Sequence, residues 1–329
     1  VPRKPTIDPV RWQPPPVDPL PDFGPTELTV VTVPGDAPED LVVDDDGFLW
    51  TGLVDGGIVR IDPQGATGVV ANTGGRPLGL EVARDGRLLI CDSPRGLLAM
   101  RRDTGAMEVL ANSVGGRSLR WCSNVIEMPD GTIYFTESTS RYTYAEMRAP
   151  VLEARGDGSL LRRDLDGTVS AVLNGLYFAN GVTPTADGSA LVFAETQARR
   201  LSKYWLSGPL AGTVTEFASR LPCMPDNLCT GADGRIWCAM FAPANRMLDR
   251  LTPRAPLLRK LVWRLPERLQ PQIDPIVWVV AFDPDSGAAV AGVQMTHPDF
   301  GTVTGVVERD GRLWLGSIGF PAVAHCAVP

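Results

Sequence analysis

No apolar run in this chain approaches the ~20 residues needed to cross a bilayer, and no leader-peptide pattern opens it. Basic charge is also scarce. A net charge of −7 and a pI near 5.0 argue against a nucleic-acid partner, which would require a basic face or stripe. The short catalytic signatures are missing as well: there is no G-x-S-x-G elbow, no H-E-x-x-H, no C-x-x-C and no G-x-x-x-x-G-K-[ST]. Six cysteines match no zinc spacing, and Cys91, Cys238 and Cys326 fall inside predicted strands, so they read as buried free thiols rather than disulfides. A cytoplasmic protein is the expectation from these absences.

What the chain does contain is a repeat. A short apolar run, an Asp-Gly pair and a second run rich in aromatic and β-branched residues recur six times, at 38–52, 77–91, 122–138, 179–196, 225–240 and 302–317. Asp-Gly supplies the positive backbone angles of tight hairpins, so each copy predicts two antiparallel strands joined at Asp46-Gly47, Asp85-Gly86, Asp130-Gly131, Asp187-Gly188, Asp233-Gly234 or Asp310-Gly311. Two further strand candidates follow most hairpins. Four strands per unit, six units and protected edges predict an all-β, six-bladed β-propeller over residues 27–329. The last unit is one strand short, and the run at 27–33, ELTVVTV, is expected to fill that place and fasten the ring. Residues 1–26 are proline-rich and predict an extended strap along the outside of the ring, with Trp12 as an anchor.

Inner strands of a propeller surround the axis, so equivalent positions at their starts form a ring at one mouth. Seven residues before each turn aspartate stand Glu39, Leu78, Ser123, Asn180, Asp226 and Val303; the next residues in the third and sixth units are Asn124 and Thr304. Glu39, Asn124, Asn180 and Asp226 thus predict an axial shell of oxygen donors suited to a hard divalent cation, Ca²⁺ first, with Mg²⁺, Mn²⁺ or Zn²⁺ as alternatives. The competing reading is that each only satisfies backbone groups at a strand end.

From PEDLVV to LWLGSIGF the chain resembles the strictosidine synthase-like proteins. These are related to regucalcin and gluconolactonase, more distantly to paraoxonases, and together to the calcium-dependent phosphotriesterase-like propellers. YFTESTSRY, FANGVTPTADGSALVFAET and MPDNLCTGADGRIWCAM carry the resemblance, the last two being very similar to the branch that includes the adipocyte membrane-associated protein. It implies a calcium-type site of one glutamate, two asparagines and one aspartate, matched by Glu39, Asn124, Asn180 and Asp226, and hydrolysis of lactones or aryl esters with the aspartate as base or nucleophile. Two features depart from the pattern. Thr304 stands where strictosidine synthase has its catalytic glutamate, and His297 and His325 are the chain's only histidines, which puts a paraoxonase-type histidine pair in doubt.

With no other catalytic motif present, chemistry falls to the metal, with Asp226 as the expected base or nucleophile and a small lactone or ester as substrate. The alternatives are a non-catalytic binding propeller with a structural metal, and a strictosidine-type lyase or condensing enzyme. Tyr142, Tyr144, Phe241, His297 and Thr304 are the candidate pocket residues. Loops after the second strands lie on the metal side, and the two longest insertions, 141–158 and about 242–275, fall there. Between Asn245 and Gln270 seven basic residues oppose two acidic, a surplus of five on a remainder near −12. Leu257, Leu258, Leu261, Val262 and Leu265 have helical spacing. The segment reads first as a lid or a helix packed on the ring, and only then as a membrane-surface contact.

Overall fold

The computed structural model describes residues 4–266, 269–270 and 272–329. Glu267 and Arg268, two of the charges counted in the basic insertion, lie outside them.

Six four-stranded antiparallel sheets are arranged as the blades of one propeller. In order, each from axis to rim, they are Leu41–Val43, Leu49–Gly52, Gly57–Ile61 and Thr67–Asn72; Arg76–Val82, Leu88–Ser93, Gly96–Met100 and Met107–Ala111; Cys122–Glu127, Ile133–Glu137, Gly158–Arg163 and Val169–Leu176; Ala179–Pro184, Ala190–Glu195, Arg200–Trp205 and Val214–Ala218; Cys223–Thr230, Ile236–Pro243, Val277–Phe282 and Ala289–Met295; and Val303–Arg309, Arg312–Ser317 and Ala322–Ala327. The sixth blade takes its outer strand from the other end of the chain: Thr29–Thr32 pairs antiparallel with Ala322–Ala327, as expected from ELTVVTV. A small ribbon, Ser113–Val114 with Arg117–Ser118, links the second and third blades.

The hairpins differ from the expected two-residue turns. In five of them only the glycine has a positive φ, from +68° at Gly188 to +85° at Gly234. The chain makes a type I turn, such as Gly47 N donating to Asp44 O, and the left-handed glycine then returns it to the ladder. In four blades the turn aspartate carboxylate accepts the amide two residues on, at 2.9–3.0 Å. Only the sixth turn has both residues left-handed, Asp310 at +50° and Gly311 at +72°, and it is one residue shorter.

Every gap between adjacent blades has its own apolar core. Trp50 and Leu88 pack between the first and second blades, Phe135 between the second and third, Phe193 between the third and fourth, Phe282 between the fourth and fifth, Trp237 between the fifth and sixth, and Val323 with Leu41 where the ring closes. Each core needs the next blade to cover it, which is why so long a chain forms one ring. All six cysteines are free, five of them buried.

Helices occupy both mouth-side insertions: α1, Arg148–Glu153, in one, and α2, Arg246–Leu251, with α3, Pro256–Arg264, in the other. Asn245 caps α2 by accepting from the Met247 and Leu248 amides, each at 3.0 Å. The strap passes beneath this layer. Trp263 of α3 donates to Pro5 O at 2.7 Å, Val10 N donates to Glu153 O at 2.9 Å, and Trp12 stacks on Tyr177 with ring centres 4.7 Å apart. Farther on it reaches the outer edge of the fifth blade, where Gln294 N donates to Gly24 O.

Candidate functional site

The start of each inner strand contains a bulge, and the bulge explains the site. In the second to sixth blades two residues interrupt the ladder between the first and second strands: Leu78-Gly79, Ser123-Asn124, Asn180-Gly181, Asp226-Asn227 and Thr304-Gly305. Glu39-Asp40, just before Leu41, takes the same place in the first blade. Six dipeptides therefore make two tiers around the axis.

The first residues form the upper tier. Glu39, Leu78, Ser123, Asn180, Asp226 and Thr304 line one cavity of about 70 Å³ with an aromatic and thioether wall that includes Trp121, Tyr144, Phe178, Met224 and Phe241. Glu39, Asn180 and Asp226 thus converge as expected. Asn124 does not belong to this tier: Ser123 holds the equivalent place and Asn124 lies one step deeper. In the sixth blade the shorter hairpin moves the register by one, which selects Thr304 over Val303.

The second residues form the lower tier, which sequence reasoning missed. Asn124 Nδ2 donates to Asp40 Oδ2 and to Asn227 Oδ1, both at 3.1 Å, and Asn124 Oδ1 accepts from Val182 N at 3.1 Å. Asn227 Nδ2 reaches Glu39 Oε1 at 3.4 Å. The three polar residues come from alternate blades, and the intervening blades supply Gly79, Gly181 and Gly305. A Cβ on Gly79 would lie 2.4 Å from Asn124 Cα, and one on Gly181 would lie 2.6 Å from Asn227 Cα, so only glycine leaves the polar triad its space. This alternation was legible as a glycine after every second first-tier residue.

Burial sets the electrostatics. Glu39, Asp40 and Asp226 are each 5% exposed. Loss of solvent pushes the Glu39 carboxyl up to about 7, with the Arg76 charge pulling it back. Burial first, then the neighbouring acids, hold Asp226 and Asp40 well above the ordinary carboxylate range. Two oxygens, Glu39 Oε2 and Asp226 Oδ1, are buried without any hydrogen-bond partner, whereas Asn180 Oδ1 accepts from Ser123 Oγ at 2.9 Å. Arg76 is buried beside them, its guanidinium 4.7 Å from the Tyr144 ring centre and donating to Ala37 O at 2.9 Å.

Among the described residues no three His, Cys, Asp or Glu side chains group as a metal cluster. The donors here are two carboxylates with amide and hydroxyl oxygens, a set that fits a hard cation rather than zinc. The two unpartnered oxygens are the specific fit: a buried carboxylate oxygen without a donor is costly unless a cation or proton meets it.

The other pocket candidates divide. Tyr144, Phe241 and Thr304 line the cavity. Tyr142 does not. Its hydroxyl donates to Glu153 Oε1 at 2.5 Å and its ring packs with Ile7, Leu152 and Trp263 in the core of the helical layer. His297 stands apart as well, half-buried in a local bridge with Phe300, its Nδ1 accepting from Asp299 N. His325 packs on Trp314, so neither histidine serves the mouth. Thr304 Oγ1 donates to Glu39 O at 2.8 Å and holds the ligand-bearing backbone.

The axial cavity opens under the helices. Met147, Val151, Met224 and Phe241 are shared with an adjoining, mainly apolar groove of about 270 Å³ lined further by α2 and α3. A wider depression of about 830 Å³ lies on the opposite face between the first two hairpins, but most of its acids and guanidinia are paired with one another, as in Asp44 with Arg102 and Asp85 with Arg87.

Six blades around a mouth of oxygen donors define a propeller with an axial polar site. Residues 43–271 match the SMP-30/gluconolactonase/LRE-like region, and the chain belongs to that family. It is 35% identical over 232 residues to the protein strictosidine synthase-like 6 of Arabidopsis thaliana, an alignment covering 68% of this chain and 62% of that relative; the chain thus spans about three fifths of the relative's length. Among solved structures it is similar to a gluconolactonase from Xanthomonas campestris, with TM-score 0.69 and 17% identity over 100% of this chain and 99% of the other. It is also similar to regucalcin, a calcium-binding protein of Agrobacterium tumefaciens, with TM-score 0.65 and 14% identity over 94% and 96%. At these identities the two structures establish the fold. No helix among the described residues is long and apolar enough to cross a membrane.

Proposed function

We propose that the upper tier is the reaction centre of a metal-dependent hydrolase of lactones or related esters. The observation that carries this reading is the pair of buried, unpartnered oxygens, Glu39 Oε2 and Asp226 Oδ1, on the floor of one cavity. Membership of a family that includes gluconolactonases supports it. Glu39, Asn180 and Asp226 would hold the cation, Ca²⁺ in the first place, with the Ser123 hydroxyl or water completing the shell and Asn124 bracing it from below. When bound, such a cation polarises the carbonyl of the ester.

The chain's own groups do the rest. Asp226, as base, takes a proton from the attacking water, whose oxygen bonds to the acyl carbon. The ring C–O bond of the lactone breaks, and the proton passes to the departing alkoxide, giving one hydroxy acid. Trp121, Tyr144, Phe178 and Phe241 exclude bulk water and face the apolar part of the substrate. Thr304 fixes the Glu39 backbone and offers no acid of the strictosidine type.

The test is hydrolysis of a panel of alkyl- and aryl-bearing γ- and δ-lactones, gluconolactone and aryl acetates, with chelator and then with restored calcium, against Asp226→Asn. Activity lost to chelator, restored by calcium and absent in the variant is the expected result. Tight calcium binding with the whole panel left uncut overturns the hydrolase reading in favour of a binding propeller with a structural metal.

A further inference from the structure

Helix α3 is inside out. On the wheel, Leu257, Leu261 and Leu258 share one arc and Arg259 and Trp263 the opposite one. A helix packed on the ring would bury its leucines. Here Leu257 is 75% exposed, Leu261 58% and Leu258 49%, whereas Arg259 and Trp263 are buried. The inversion is held in place by specific bonds. Arg259 donates to the carbonyls of Leu152 at 2.8 Å, Val10 at 2.6 Å and Thr252 at 3.0 Å, which come from α1, the strap and the α2–α3 turn. The expectation that the apolar face of this segment packs on the propeller is therefore corrected.

Charge says what the exposed leucines meet. Arg246, Arg250, Arg254 and Arg264 are all exposed, and none forms an ion pair with another described residue. Arg264 lies beside Leu257 and Leu261 on the wheel. The excess positive charge is thus concentrated on this one layer of an otherwise acidic protein. A second copy placed on the same face would bring these guanidinia against each other. An anionic surface satisfies them while apolar side chains enter the layer below the headgroups.

We infer that the outer face of α2 and α3 docks on an anionic lipid bilayer, with Leu257, Leu258 and Leu261 inserted and the four arginines on the headgroups. Met247, 52% exposed, also lines the apolar groove that joins the axial cavity, so the docked face adjoins a path for apolar molecules to the mouth. The inference concerns binding and stands whether or not the mouth is hydrolytic.

Flotation of the full chain with phosphatidylcholine vesicles, with and without phosphatidylserine, tests it. The expected result is association with the anionic vesicles on the order of tenfold above the neutral ones, reduced by salt. Leu257→Asp with Leu261→Asp removes association from both, and Arg254→Glu with Arg264→Glu removes the anionic preference, with melting curves unchanged in each case. No association of the wild type, or association indifferent to both double variants, overturns the inference. So does a wild-type dimer in sedimentation that the leucine variants dissolve, which would assign the face to a second copy.

Discussion

The two axial tiers are one residue apart in sequence and opposite in chemistry. In the upper, Glu39 Oε2 and Asp226 Oδ1 are left open; in the lower, the Asn124 carboxamide donates to Asp40 and Asn227 and accepts from the Val182 amide. An open buried polar atom costs about 1–3 kcal/mol, so a fold retains one only where the surroundings fix it. The hydrogen-bonded lower tier, with its three glycines, is that fixture. Function and scaffold are divided here between neighbouring residues of the same bulge.

The comparison breaks first at the glycines. Gly181→Ala should prevent folding or lower the melting temperature by about 10 °C or more, because the new Cβ meets three backbone atoms of the adjacent inner strand, Asp226 O, Asn227 Cα and Leu228 N, each at 2.6 Å. Asn180→Ala, next to it in the upper tier, should shift melting by only a few degrees. Thermal melts of the pair check this, and similar losses would erase the distinction between the tiers. Asp226→Asn should lower kcat on the best substrate by about 10²–10⁴ while leaving the fold intact, measured as initial rates alongside a melt. Asn124→Leu should cost about 1–3 kcal/mol in urea titrations without metal, by leaving the buried Val182 amide without its acceptor.

The smallest effect is a pH slope. Glu39 is pushed up to about 7 from an ordinary 4.5. The folded state therefore favours the proton, and stability present at low pH is lost as pH rises from about 4.5 through 7. In chelator, Glu39→Gln should melt with the wild type near pH 5 and a few degrees above it at pH 8. Equal melting at both pH values would show that Glu39 is not buried as described.

Blade count and ring closure were legible because Asp-Gly punctuates every hairpin and a lone strand remains at one end. Glu39, Asn180 and Asp226 were legible from their common offset. The offset failed where it assumed identical hairpins, since the sixth is a residue shorter; in the third blade it gives Ser123, which lines the cavity, while its polar neighbour Asn124 lies one step deeper. Periodicity located the leucines of α3 but not the side they face, since the partners of Arg259 come from segments over 100 and nearly 250 residues away. Tyr142 misled for a different reason: its partner Glu153 is close in sequence but lies on a short helix that carried no clear pattern.

The clasp between Thr29–Thr32 and Ala322–Ala327 also imposes an order of events. Thr29–Thr32, the first strand of the ring, must wait about 300 residues for its partner. Closing so long a loop costs roughly 5 kcal/mol of chain entropy. Until then Leu41 and its neighbours in the first blade have no Val323 to cover them. A chaperone or protease would meet the nascent protein at this open seam, and translation of Ala322–Ala327 decides when that window shuts.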